Sequence, residues 1–307
     1  MSIRAFIGAI ELGLVYSLLA FGTFISFRIL RVADLTVDGS FVLGAAVCAV
    51  FTAMGMPLAG IGVAILAGAL AGLITAFLQT KMGIQPILAG ILTMTGLYSI
   101  NLMVMGGKAN IPLLNQSNIF TYAESIIGGS AYKVFVLTGI ISIVFILLNW
   151  FFRTQLGLSI RATGDNEDMC RASSINTDSV KMVAFAISNS IVSLSGALVA
   201  QMQQSADVNM GSGMVVISFA SIIIGGVIIK NKNITLSLLS VIIGSLIYRL
   251  IIALILTTNF PPSYLKLISA LVVITALSLP NVSKRMEIYR VRRRRNNVKY
   301  KISEQNF

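Results

Sequence analysis

The chain has 307 residues, 56% of them hydrophobic and only 11% charged, where a soluble domain carries roughly 25% charged residues. That balance excludes a soluble globular protein and puts the chain in a membrane. A net charge of +12 does not read as nucleic-acid binding here, because the positive residues gather in loops and the tail without aromatic residues between them to stack on bases. The absence of histidine excludes a histidine-based metal site or base. Cys48 lies in an apolar run and Cys170 in a polar one, so no disulfide framework is implied.

A spanning helix needs about 20 apolar residues. Residues 5–27 meet that with Glu11 as their one acid, and end at Arg28 and Arg31. The run is too long for a cleavable signal and no small-residue cleavage site follows it, so it reads as a retained first span. Asp34-Leu35-Thr36-Val37-Asp38-Gly39-Ser40 is polar and leads into residues 41–54, an apolar run too short to span alone. A broken or re-entrant helix fits, since irregular backbone survives at membrane depth only where protein or a wet cavity satisfies it.

Residues 58–80 form a clean span in which Gly60, Ala64, Gly68, Gly72 and Ala76 repeat at every fourth position, a smooth ridge for another helix. The next span, 84–105, is expected to kink near Pro86, and a polar loop over 106–132 precedes a span over 133–152. After the polar stretch 153–181 come residues 182–202, studded with Ser188, Asn189, Ser190, Ser193, Ser195 and Gly196. A polar turn over 201–213, an apolar run over 214–229 and a basic loop at Lys230 and Lys232 follow. A span over 234–256 is interrupted by Arg249, and a Pro261-Pro262 turn leads to a last span over 264–279. The fold class is therefore all-α: an integral membrane bundle of about nine spanning segments, one of them broken or re-entrant. The expected divisions are a transmembrane domain over 1–283 and a basic tail over 284–307, centred on Arg292 to Arg295.

Lysine and arginine set the orientation. With the tail inside, Lys230 and Lys232, the 153–181 loop, Lys81 and the Arg28/Arg31 pair all fall inside, and the amino terminus falls outside. A faint internal echo accompanies this: Asp34 and Asp38-Gly39 open one helix on the inner face, and Asp207 and Gly211 open another on the outer face, as an inverted repeat would.

The stretch 153–181 is the longest mixed-charge segment, with Arg153, Arg161, Arg171 and Lys181 alternating with Asp165, Glu167, Asp168 and Asp178. A loop that only oriented the chain would carry bare lysine and arginine. Gly164-Asp165-Asn166 predicts a turn and a helix cap, with Asp165 or Asn166 accepting first-turn N–H groups. Glu167 and Asp168 suit the helix dipole, Arg171 follows Glu167 by four residues, and Ser173, Ser174 and Asn176 end the helix. The reading is a short surface helix that docks another protein.

Leu156 to Asn166, Ile175-Asn176 and the Val183 to Ser188 helix resemble the permeases of branched-chain-amino-acid-type ABC importers. Asp34 to Ser40 and Ala206 to Gly213 are similar to a narrower branch, single-gene permeases proposed to serve tryptophan, tyrosine or related amino acids. The resemblance reaches to about Pro280. It implies a type II-like permease fold and a homodimer, with ATPase subunits inside and an extracytoplasmic solute-binding protein outside. It also implies a coupling loop that enters a cleft of the ATPase, with Gly164, Asp165, Asn166, Glu167, Met169, Cys170, Arg171, Ala172, Ser174 and Ile175 as coupling residues. The chain departs from the family pattern at Ser174, where glycine usually precedes the Ile-Asn pair, and at Cys170, where alanine is common.

Candidate pathway residues are Asp34, Thr36, Asp38, Ser188, Asn189, Asp207 and Arg249. Asp34 and Asp38 either line the pathway or, more plainly, cap the helix beginning near Ser40 and pair with Arg28 or Arg31; Asp207 reads the same way. Arg249, costly inside a span, pairs with an acid, snorkels outward or meets solute. The Ser188-Asn189-Ser190 cluster serves helix packing or solute. No phosphate loop is present, since Gly106-Gly107-Lys108 continues with Ala109-Asn110, so no cofactor is implied and ATP belongs to a partner. An ion-coupled secondary transporter or channel is the rival; it would need deep carboxylates, for which Glu11 is the clear candidate. An intramembrane enzyme would need a nucleophile paired with a base, and none is evident.

Overall fold

A computed structural model describes residues 3–114, 116–128, 131–229, 233–257, 267–275 and 278. The chain opens with α1 (Ile3–Thr23), which runs into a π-helical turn (Phe24–Ile29). Next come α2 (Thr36–Ala53), α3 (Pro57–Thr80), α4 (Pro86–Val104), strand β1 (Asn110–Pro112), α5 (Ile119–Ile127) and α6 (Tyr132–Phe151). Helices α7 (Gln155–Asp165), α8 (Glu167–Ala172) and α9 (Thr177–Gln203), strand β2 (Ser205–Asp207), α10 (Met214–Ile228) and α11 (Ile234–Leu256) complete the named elements. Residues 267–275 are helical too, inside the last expected span; the rest of that span and the basic tail lie mostly outside the described residues.

Among the described residues seven helices are long and apolar enough to cross a membrane, and α10, with 15 residues, is a shorter apolar helix. The bundle is built on α9, which is buried almost without interruption from Ser188 to Gln201. The small-residue ridge of α3 exists for α9. A Cβ on Gly68 or Gly72 would run into the Asn189 and Phe185 carbonyls, so only glycine lets the backbones come this close. Across the same contacts the serines of α9 donate to carbonyls of neighbouring helices: Ser188 to Gly22 at 2.7 Å, Ser193 to Ala64 at 2.7 Å and Ser195 to Val15 at 2.9 Å. Such hydroxyl bonds replace the hydrophobic attraction that lipid cannot supply between helices.

Several expectations change. Pro86 does not kink a helix but starts one, at the position where its missing N–H matters least. The apolar run after Ser40 is not an isolated short piece: α2 begins at Thr36 and continues for 18 residues, because Asp34 and Asp38 find partners that let polar residues open a buried helix. The 106–132 loop is structured as β1 and α5, and β1 pairs antiparallel with β2 in the register Asn110 to Asp207. Helix α5 is held by a capping box between Asn118 and Thr121.

The depth at which α2 begins follows from its neighbours. Ser188 holds Gly22 and the adjacent Asn189 holds Asp34, so the chain passes Gly22, turns at Ile29 to Arg31 and returns to the same level before α2 starts. That level is 12 residues along α9 from Thr177, roughly 18 Å of helix. Helix α10 starts beside α2 at this depth and heads the opposite way. Phe219 stacks on Phe27 of the π-helical turn, whereas α2 climbs to the cluster of Ala45, Ala46 and Ala49 with Ala206.

Candidate functional site

The centre of the site is where these two helix starts meet. Asp34 lies in the loop before α2 and is fully buried. Its carboxylate accepts from the Thr36 backbone N–H at 2.9 Å and from Asn189 Nδ2 at 2.8 Å. The Thr36 hydroxyl meets that of Thr75 on α3 at 2.8 Å. Neither Arg28 nor Arg31 pairs with Asp34; Arg31 bridges Asp165 instead, at 2.6 Å. Asp34 thus forms a local turn onto Thr36 just ahead of α2, whose cap residue is Leu35, and the expected ion pair does not form.

Asp38 caps a different helix from the one expected. Its two oxygens accept from the Gly213 and Val215 N–H groups, at 3.2 and 2.8 Å, so a carboxylate on α2 closes the N-terminus of α10. Gly213, with φ at +89°, ends the turn before α10 and supplies one of these two N–H groups. Asp38 also borders a cavity of about 280 Å³ lined by Thr95, Tyr98 and Asn101 of α4 and by Asn209 after β2. Asp207 stays apart: its carboxylate accepts from Asn209 N–H at 2.7 Å, two residues on. That repeats the turn Asp34 makes with Thr36, so the sequence echo corresponds to one local geometry used twice, before helices of opposite direction.

Of the other pathway candidates, Asn189 joins Asp34, and Ser188 binds Gly22 as packing glue. Arg249 has no acidic partner among the described residues. Its guanidinium lies over the Tyr16 ring, 5.5 Å from the centroid, a cation–π contact that sequence reasoning did not weigh. The α4 residues around Asp38 were also missed, since Thr95, Tyr98 and Asn101 look like ordinary polar punctuation in an apolar run.

The stretch expected to couple folds as two helices, not one. Gly164 and Asp165 belong to the last turn of α7, where a side chain on Gly164 would strike the Ile29 carbonyl. Asn166 is the cap, accepting from Met169 N–H at 3.0 Å. Helix α8 ends in a Schellman motif: the Ile175 N–H reaches the Cys170 carbonyl and the Ser174 N–H the Arg171 carbonyl, with Ser174 at φ +61°. Glycine is the residue that takes this conformation without strain. Glu167 bridges Lys181 at 2.6 Å and Arg171 at 3.0 Å, and Arg171 meets Asp178 at 3.6 Å, which ties α8 to the start of α9; Asp178 also receives Lys81 at 3.0 Å, which joins α9 to the end of α3. Burial works against the Glu167 charge, yet Lys181 and Arg171 together hold its carboxyl below the usual range. The exposed face comprises Asp168, Met169, Ala172 and Ser173. Cys170, expected among the coupling residues, packs inward at 1% exposure.

A family profile described as the permease component of branched-chain amino acid transport systems matches residues 6–277. The chain belongs to that permease family. A tyrosine transport system permease protein of Clostridioides difficile is 37% identical over 271 residues, 88% of this chain and 89% of the relative. An uncharacterised protein of Rickettsia prowazekii is 36% identical over 276 residues, 89% of this chain and 96% of the relative. More distantly, a ribose import permease of Haemophilus influenzae is 27% identical across 81% of this chain and 76% of its own length. No solved structure matches the chain. This permease is thus a multi-pass membrane component of an ABC-type transport system.

Proposed function

We propose that this permease imports a small amino acid, aromatic in type, by alternating access driven by separate ATPase subunits that clasp α8. The observation that carries the reading is the α7–α8 hairpin: a capped helix with an exposed Asp168, Met169 and Ala172 face, tethered by ion pairs to the start of α9, which Lys81 in turn joins to the end of α3. Force applied to α8 reaches α9 through Glu167 and Lys181, and α9 holds Asp34 and with it the start of α2. A push at the surface thereby arrives at the joint where α2 and α10 meet. The aromatic solute rests on the similarity to the tyrosine permease protein and on the cavity beside Asp38, whose volume of about 280 Å³ suits a single amino acid. The homodimer, the solute-binding protein outside, and the orientation with the coupling loop and tail inside belong to the same reading.

The test is reconstitution in proteoliposomes with the cognate ATPase and binding protein, measuring ATP hydrolysis and uptake. L-tyrosine and L-tryptophan are expected to stimulate both, while ribose and leucine leave them at the basal rate. Stimulation by ribose or leucine alone would refute the aromatic assignment. Uptake in the absence of the ATPase, driven by an ion gradient, would refute the whole mechanism.

A further inference from the structure

A second cavity, of about 510 Å³, opens at the end of the bundle that carries the coupling loop. Arg28 from the π-helical turn, Arg31 just beyond it, and Arg161 and Asp165 from α7 supply its charge. Three positive groups thus face one negative group. The pair that does form, Arg31 with Asp165, is a weak surface bridge, since its side chains are 64% and 72% exposed. Arg28 and Arg161 have no hydrogen-bond or ion-pair partner among the described residues. Orientation alone needs basic residues near this end, but it does not need arginines from two separate elements to converge on one cavity.

Two further features define what fits. Ile234 and Ser237 of the first turns of α11 form part of the wall, and the Asn233 side chain makes no capping hydrogen bond to that helix. Phe24 makes the adjoining wall apolar. The cavity lies where the first span ends and α11 begins, the level at which phospholipid head groups meet a bundle. Forked guanidinium donors suit phosphate oxygens, and an apolar wall beside them suits the start of an acyl chain.

We propose that this cavity holds the phosphate of an anionic phospholipid from the cytoplasmic leaflet, and that the phosphate competes with Asp165 for Arg31. Because Arg31 to Asp165 joins the segment after the π-helical turn to the α7–α8 hairpin, lipid occupancy replaces that weak bridge with a phosphate contact. The proposal does not depend on which solute is carried.

Native mass spectrometry of the purified full-length permease, in detergent with equal phosphatidylglycerol and phosphatidylcholine, tests it. Phosphatidylglycerol is expected to be retained preferentially. Each arginine near an anionic lipid surface contributes about fivefold in affinity, so Arg28→Gln with Arg161→Gln should lower that retention by about tenfold or more. The control Arg292→Gln with Arg293→Gln removes as many charges from the tail and should change it less than about twofold. Asp165→Asn releases Arg31 and should raise retention, a gain that misfolding cannot produce. Equal loss in the tail variant would overturn the proposal in favour of diffuse charge. Displacement of the lipid by millimolar glycerol phosphate would reassign the cavity to a soluble phosphate compound. No preference for phosphatidylglycerol, with the arginine variants instead losing the ATPase on co-purification, would make it a protein-docking surface.

Discussion

At the scale of single residues, Ser174 and Asp34 are held in costly positions for different reasons. Ser174 takes the left-handed conformation that the end of α8 demands, at φ +61°, without the freedom of glycine. Ser174→Gly is expected to stabilise the protein by about 0.5–1 kcal/mol, read as a rise in Tm of the detergent-solubilised permease. An unchanged or lower Tm would mean that this turn is not the conformation that limits the hairpin. Asp34 is buried with both oxygens engaged, so Asp34→Ala strands the Thr36 N–H and one Asn189 donor, at about 1–3 kcal/mol for each group left unpaired. Asp34→Asn keeps the shape and one acceptor and should preserve much more folded protein.

Among the elements, α8 is the one whose stability and purpose separate most clearly. Glu167 has a lowered pKa, so the tether it makes with Lys181 and Arg171 is complete above its unfolded value of 4.5 and fades as pH falls through the folded value. The bridges are partly exposed and together contribute about 1 kcal/mol or less. Glu167→Gln should thus abolish the acid-induced exposure of α8, followed by hydrogen exchange, and leave the spans protected. The proposed docking rests on other side chains. Met169 is 57% exposed and Ala172 lies on the same face, so Met169→Arg should insert normally and fail to co-purify the ATPase. Cys170→Arg is a different experiment, because a charge placed at a buried position lowers the yield of folded protein first. Retained ATPase binding in Met169→Arg would remove α8 from the coupling role.

For the whole molecule, the expectation is one orientation that puts every basic cluster on the same side. Asp168 is exposed on α8, so a single cysteine there, made as Asp168→Cys with Cys48 and Cys170 replaced by serine, reports the side directly. Membrane-impermeant thiol reagent should leave it unlabelled in intact cells and label it in inverted vesicles. Labelling in intact cells would reverse the topology and detach α8 from any cytoplasmic ATPase.

The amino-acid sequence alone determined what depends on local pattern and length. Apolar runs of spanning length gave the bundle, the four-residue repeat of Gly60 to Ala76 gave the contact face of α3, and Asn166 with Glu167 and Arg171 gave a capped surface helix. These are legible because helix periodicity and end effects act within a few residues. The partners of the charges were decided only by tertiary structure. Asp38 closes α10, 175 residues further along the chain, and Arg31 crosses 134 residues to Asp165, while Arg249 settles on an aromatic ring. A buried charge takes whichever donor the packing brings within about 3 Å, and that proximity is a property of the crossing helices, with no trace in the local sequence around either residue. For the same reason Cys170 gives no sign of facing inward: one turn of α8 offers both an exposed and a buried face, and only the helices beneath it select which is which.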